Sequence, residues 1–164
     1  MRGILTFTLF VIYLLLLNRL WIKLFSFALV LIKKIKMRQS FSSGAPWEDK
    51  VAYRRAVRIG NIIEVSGTTA VRNGEIIGEG DPYLQATTCF EIIKEAIEAL
   101  GGSLSDVIRT RMYTTDISKW EQIGEAHYQF FQTVNPASTM IEVSGFIDPK
   151  LLVEIEATAI IEDE

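Results

Sequence analysis

The segment that most narrows the possible folds is the closing run Leu152-Val-Glu-Ile-Glu-Ala-Thr-Ala, in which Val153 and Ile155 alternate with Glu154 and Glu156. A period of two sends alternate side chains to opposite sides of a strand, so this run calls for a sheet with one buried face. Two stripes of longer period supply the cover. Asp81-Pro82 offers a helix N-cap acceptor followed by a residue whose missing N–H costs nothing in the first turn. Ala86, Phe90, Ile93, Ile97 and Leu100 then fall at helical spacing up to Gly101-Gly102, a left-handed stop. Trp120, Ile123, His127, Phe131 and Val134 form a second stripe, opened by the capping-box pattern Ser118-Lys-Trp-Glu121 and ended by Pro136. A sheet with two helices on one face is an α+β sandwich, and the order reads ββ(β)αβαββ.

The remaining strands follow from turn chemistry. Tyr53 to Ile59 alternates, Gly60-Asn61 turns the chain, and Ile62 to Ser66 returns as an antiparallel partner. Asn73-Gly74 marks a second turn before a short Ile76-Ile77 strand. Asp106 to Thr115 is a β-rich strand with Val107, Arg109, Arg111 and Tyr113 expected on one face and Ile108, Thr110 and Met112 on the core face. Closing strands are expected near Thr139 to Ser144 and Leu152 to Ile161, joined through Asp148-Pro149. The uncovered sheet face carries many apolar and β-branched residues, which favours burial by oligomerisation.

Charge divides the chain. Residues 1–36 hold six of the seventeen Lys and Arg and no acid, so the rest sets eleven cations against all twenty Asp and Glu. That excess argues against nucleic acid, whose binding rests on neutralising phosphates. Cys89 is the only cysteine, which excludes an intrachain disulfide and fits a reducing compartment. With Cys89 and the sole histidine, His127, as the only soft ligands, no zinc-type set can be assembled and no metal is expected.

The front end, residues 1–36, is read as a hydrophobic extension ahead of a domain at 37–164. Its apolar runs, Ile4 to Asn18 and Leu24 to Ile32, are each short of the ~20 residues that cross a bilayer. Joined, they place Arg19 and Lys23 near the middle at ~2.5–3.5 kcal/mol each. No small-residue cleavage site marks a signal peptide. Two readings stand, a membrane anchor and a chain that starts at Met37. Lys33, Lys34 and Lys36 would put an anchored domain on the cytoplasmic side, so both readings place the domain in the cytoplasm.

Ala56-Val-Arg-Ile-Gly-Asn61, Val65-Ser-Gly67, Asn135-Pro-Ala-Ser138 and Val153-Glu-Ile-Glu-Ala157, in this order and spacing, resemble the Rid family of YjgF-type reactive-intermediate deaminases. The likeness covers nearly all of residues 42–162. It implies a chorismate-mutase-like homotrimer with a ligand cleft between each pair of subunits and hydrolysis of enamines or imines without a cofactor. It also implies site residues: Glu154 to position the attacking water and Tyr53 as a hydrogen-bond donor. The family's Pro-Ala-Arg step grips a 2-imino acid carboxylate, but here Ser138 stands at the arginine position. An arginine fork makes two charge-assisted bonds of roughly 1.5–3 kcal/mol each, so its loss weakens carboxylate recognition by on the order of a hundredfold or more. Gly124 stands where the family tends to place a cleft-facing asparagine.

Arg111, on the face of Tyr113, and Arg55, on the face of Tyr53, are candidates for a displaced anion site, with ion pairing to nearby carboxylates as the alternative. Met140 lies near enough to the motif to touch a ligand. Otherwise Met140, Trp47 and Trp120 read as packing residues, His127 as a core or interface histidine, and Cys89 as an inert thiol. Two functions remain side by side: an enamine or imine deaminase, and a non-catalytic trimer that binds a metabolite or a partner protein.

Overall fold

Strand β8 (Val153–Ile160) lies inside the sheet, paired antiparallel to β3 (Ile62–Thr69) on one edge and β6 (Val107–Thr114) on the other. Its alternation is realised without exception: Val153, Ile155, Ala157 and Ala159 are buried, and the intervening residues half-buried. In the computed structural model, which describes Arg19, residues 21–27 and residues 38–162, the six-stranded order is β1-β2-β3-β8-β6-β7. Here β1 is Gln39–Phe41, β2 is Ala56–Ile59 and β7 is Ala137–Glu142. Only the β6–β7 pairing is parallel, so the sheet is mixed as expected.

The chain divides into two units, residues 1–37 and residues 38–164. Of the first, residues 21–27 are helical. Most of the apolar front end lies outside the described residues, and among those described no helix is long and apolar enough to cross a membrane.

Helices α2 (Pro82–Ala99) and α3 (Trp120–Phe131) cover one face of the sheet. Asp81 caps α2 by accepting from the Leu84 N–H at 3.0 Å, and Gly101 closes it in the left-handed region at φ 82°. Phe90 is the pivot of the core, its ring 5.4 Å from those of both Phe130 and Phe131. Gln85 is fully buried yet saturated: its amide donates to the carbonyls of Gly78 and Lys150 and accepts from the Leu152 N–H. That clamp pins the entry to β8 against α2 and satisfies groups that burial would otherwise penalise.

Four expectations need correction. The Ser118–Glu121 capping box does not form: Asp116 accepts from the Ser118 N–H and caps a 3-10 turn, Ile117–Lys119, that leads into α3. Trp120 and Trp47, read as packing residues, are 57% and 46% exposed. A bulge in β6 lets Val107 pair with Ala159 and Arg109 with Thr158, which inserts Ile108 as an extra residue. Val107 thereby turns into the core and Ile108 out to solvent, reversing the alternation expected at that end. A short helix, α1 (Pro46–Val51), and strand β1 also precede β2 where only an ordered approach segment is expected.

Phe90→Ala should lower the unfolding free energy by about 3–5 kcal/mol, the cost of an aromatic-sized cavity in a packed core, as read by chemical denaturation.

Candidate active site

Strand β3 also carries an extra residue opposite β8. Val65 pairs with Ala157 and Thr68 with Ile155, so Ser66 and Gly67 together span one place. A bulge leaves backbone carbonyls without ladder partners, and a buried carbonyl needs a donor. Arg55, only 8% exposed, supplies it: Nη1 donates to the Gly67 carbonyl at 2.6 Å, to Thr68 Oγ1 at 2.9 Å and to the Ser66 carbonyl at 3.4 Å. The same guanidinium lies over the Tyr53 ring, 5.6 Å from its centroid, and donates from Nη2 to Tyr53 Oη at 3.2 Å.

Gly67 completes the seat. A Cβ built on it would lie 2.9 Å from the Glu154 carboxyl carbon, so the absence of a side chain lets that carboxylate rest against the bulge. Burial, then the neighbouring Glu156, pushes the Glu154 carboxyl above its ordinary pKa, while Arg55 opposes the rise. Tyr53, Arg55, Gly67 and Glu154 line one cleft of about 1100 Å³ together with Trp47 and Ile147.

Tyr53 reaches this cleft because α1 ends abruptly. Ala52 takes the left-handed conformation at φ 61°, and the Tyr53 N–H bonds back to the Glu48 carbonyl at 3.0 Å. Glu48 itself is buried and accepts from both the N–H and the hydroxyl of Ser43. On the far wall, Arg72 forms a two-pronged pair with Glu95 and ties the β4–β5 hairpin (Val71–Arg72 and Glu75–Ile76) to α2. Nothing in the sequence around Glu48 or Arg72 distinguishes them from surface charges.

The other sequence candidates lie elsewhere. Arg111 is on the uncovered face, 3.5 Å from Glu156, whose carboxylate also accepts from Tyr113 Oη; it does not line the cleft. Ser138 is exposed on β7, opposite the buried Thr110 of β6, and Met140 on the same strand packs against the core. Gly124 is half-buried on α3 with open space where a side chain would be. Cys89 is enclosed and its thiol is pushed far above its ordinary value by burial. Among the described residues no group of three or more acidic, histidine or cysteine side chains could hold a metal ion.

The mixed sheet and the two covering helices define a chorismate-mutase-like α+β protein of the YjgF/UK114 type. The chain belongs to the Rid (YjgF) family: the family model described as Endoribonuclease L-PSP matches residues 45–161. It is similar to the uncharacterised protein SCO2049 of Streptomyces coelicolor, 40% identical over 117 residues that cover 71% of this chain and 87% of that protein. The crystal structure of Rv2704 from Mycobacterium tuberculosis, a YjgF/YER057c/UK114 family member, is 42% identical with a TM-score of 0.70, covering 76% of this chain and all of the other. The E. coli TdcF structure with bound serine is 27% identical with a TM-score of 0.64, covering 75% of this chain and 94% of the other.

Arg55→Met removes the cation that holds the Glu154 pKa down, so the carboxyl should titrate at higher pH than in the wild type. Carbon-13 NMR of the glutamate side chains reads the shift, which Arg55→Lys should largely prevent.

Proposed function

We propose that the protein hydrolyses a reactive enamine or imine to a carbonyl compound and ammonia without a cofactor, in the cleft lined by Tyr53 and Glu154. The observation that carries this reading is the Glu154 carboxylate, seated on Gly67 in a cleft that raises its pKa toward the range useful for acid–base work. Glu154 takes a proton from water as the oxygen attacks the imine carbon and returns it to the nitrogen, giving a carbinolamine; it then takes the proton of the new hydroxyl as the carbonyl forms and passes it to the nitrogen, so that ammonia leaves as the C–N bond breaks. Tyr53 Oη accepts from Arg55, which leaves its own hydrogen free to donate to the substrate.

Arg55 is a positioning residue in this scheme. Its Nη1 is committed to the bulge, so it offers no free fork to a carboxylate, and Arg111 is engaged by Glu156. Neither replaces the arginine whose place Ser138 takes. The favoured substrate is therefore one that depends less on a carboxylate for recognition. The bound serine of TdcF supports a ligand of amino-acid size. Cleavage of RNA is the less favoured activity, because the acid excess beyond residue 36 repels phosphate.

Three copies with their uncovered sheet faces inward form the working unit, with the domain in the cytoplasm. Ile59, Ile62 and Ile141, each 45–52% exposed, support such burial. Analytical ultracentrifugation of the purified protein should give three times the chain mass, and a monomer would refute the assembly.

Supplied with 2-imino acids generated in situ by an amino-acid oxidase, or with simple imines lacking the carboxylate, the wild type should accelerate ammonia release. Glu154→Gln should lose about a hundredfold or more of that rate. Its thermal stability at neutral pH should rise: the folded form binds the Glu154 proton more tightly than the unfolded chain, so ionising it costs stability as pH climbs through the raised pKa. Absence of wild-type acceleration on both substrates would overturn catalysis on this class and favour a trimer that binds a metabolite without turning it over.

A further inference from the structure

Five charged side chains line the cleft, Glu95, Asp148 and Glu154 against Arg55 and Arg72. Both cations are spent. Arg55 is committed to the bulge and to Tyr53 Oη, and Arg72 is bonded to Glu91 and Glu95. Of the acids, Glu95 shares Arg72, and Asp148 accepts from the Lys150 N–H within its own turn. Glu154 differs from both. Burial, Glu156 and Arg55 act on its carboxyl, and no hydrogen-bond donor among the described residues does. A half-buried carboxylate without a donor keeps its acceptor capacity for whatever enters the cleft.

Apolar side chains make up much of the remaining wall: Trp47, Val51, Val71, Phe146 and Ile147. Ile147 is 87% exposed, and Trp47, Val51 and Val71 are exposed as well, so a ligand's hydrocarbon arm can take their surface out of water. Lys50, whose Nζ stands 4.7 Å from the centre of the Trp47 ring, is not among the lining residues. A ligand carboxylate in this cleft would meet Glu154 and Asp148 with no uncommitted cation among the described lining residues to offset them. A ligand cation meets the opposite balance.

We propose, building on the hydrolytic reading above, that the substrate is the iminium cation of a primary amine, without a carboxylate and with an apolar or aromatic arm, held by Glu154 as counter-ion and by Trp47 along the arm. The iminium nitrogen carries two hydrogens, so it can donate to the carboxylate in a charge-assisted bond that a neutral imine makes less strongly. Water adds to the iminium carbon as Glu154 takes its proton, and the C=N electron pair settles on nitrogen. Glu154 passes that proton to the nitrogen, then takes the proton of the new hydroxyl as the carbonyl forms and the C–N bond breaks. The departing ammonia accepts it and leaves as ammonium, which restores the carboxylate and accounts for the charge that entered with the substrate. Two-electron oxidation of a primary amine is the class of reaction that supplies such an iminium.

The probe is benzamidine, a stable planar cation that presents an iminium-like nitrogen on an aromatic arm. Titration calorimetry on the full-length protein compares it with benzamide, benzoate and acetamidine, which change the charge or remove the arm. Benzamidine should bind about tenfold or more tightly than benzamide and benzoate. Glu154→Gln should erase most of that preference while leaving benzamide unchanged. Trp47→Ala, at an exposed position, should weaken benzamidine by about tenfold and acetamidine hardly at all. Where Glu154→Gln fails to fold by circular dichroism, the wild-type ranking of the three benzene derivatives decides by itself. Benzoate or benzamide binding as tightly as benzamidine, a preference unchanged in a folded Glu154→Gln, or equal losses for benzamidine and acetamidine in Trp47→Ala would each overturn the proposal. Binding is read without turnover, so these results refute the cation site and leave hydrolysis standing, whereas failure to release ammonia from any imine refutes hydrolysis and leaves the cation site.

Discussion

Strand β8 is hydrogen-bonded along both edges, and its alternation leaves it no freedom to slip by one residue without burying Glu154 and Glu156. Its neighbours must absorb every mismatch. Both do so by inserting one residue, Ile108 in β6 and the Ser66–Gly67 pair in β3. The β3 bulge then generates the chemistry of the cleft: it frees carbonyls that draw in Arg55, Arg55 fixes Tyr53, and Gly67 makes room for the Glu154 carboxylate. A packing constraint on one strand thus becomes the architecture of a site two strands wide.

Much of this frame was legible in the residue order because local signals agreed with one another. Asp81-Pro82 and Gly101 bracket α2 in the structure as they do in the sequence, and the Gly60-Asn61 and Asn73-Gly74 turns join hairpins as their composition requires. The errors fall where a local pattern competes with something distant. Ser118 and Glu121 have the spacing of a capping box, yet Asp116, two residues upstream of Ser118, takes the cap first. Val107 obeys its pairing with β8 rather than the period of its own strand. The helix α1 is short, and its one buried polar anchor, Glu48, depends on Ser43 in the preceding loop.

The site was legible as a set of residues and illegible as a geometry. Tyr53, Arg55 and Glu154 line one cleft, but Arg55, a candidate anion site by its alternation with Tyr53, holds the backbone rather than waiting for a ligand. Arg111 shares a face with Tyr113 as the alternation says, yet alternation is silent about Glu156 across the ladder, which claims it. The partner of His127 was equally hidden, since Thr110 lies 17 residues away on another element and meets it only once α3 has packed on the sheet.

The parallel β6–β7 pairing puts residue 138 on an edge strand whose side chains are nearly all exposed. Changing an exposed edge residue generally alters stability by no more than about half a kcal/mol. Position 138 can therefore carry side chains of different length and charge without endangering the framework, whereas Gly67 and Arg55 are bound into the bulge. Divergence has an open door at the rim and a closed one at the centre, so descendants with different ligands can share one unaltered scaffold.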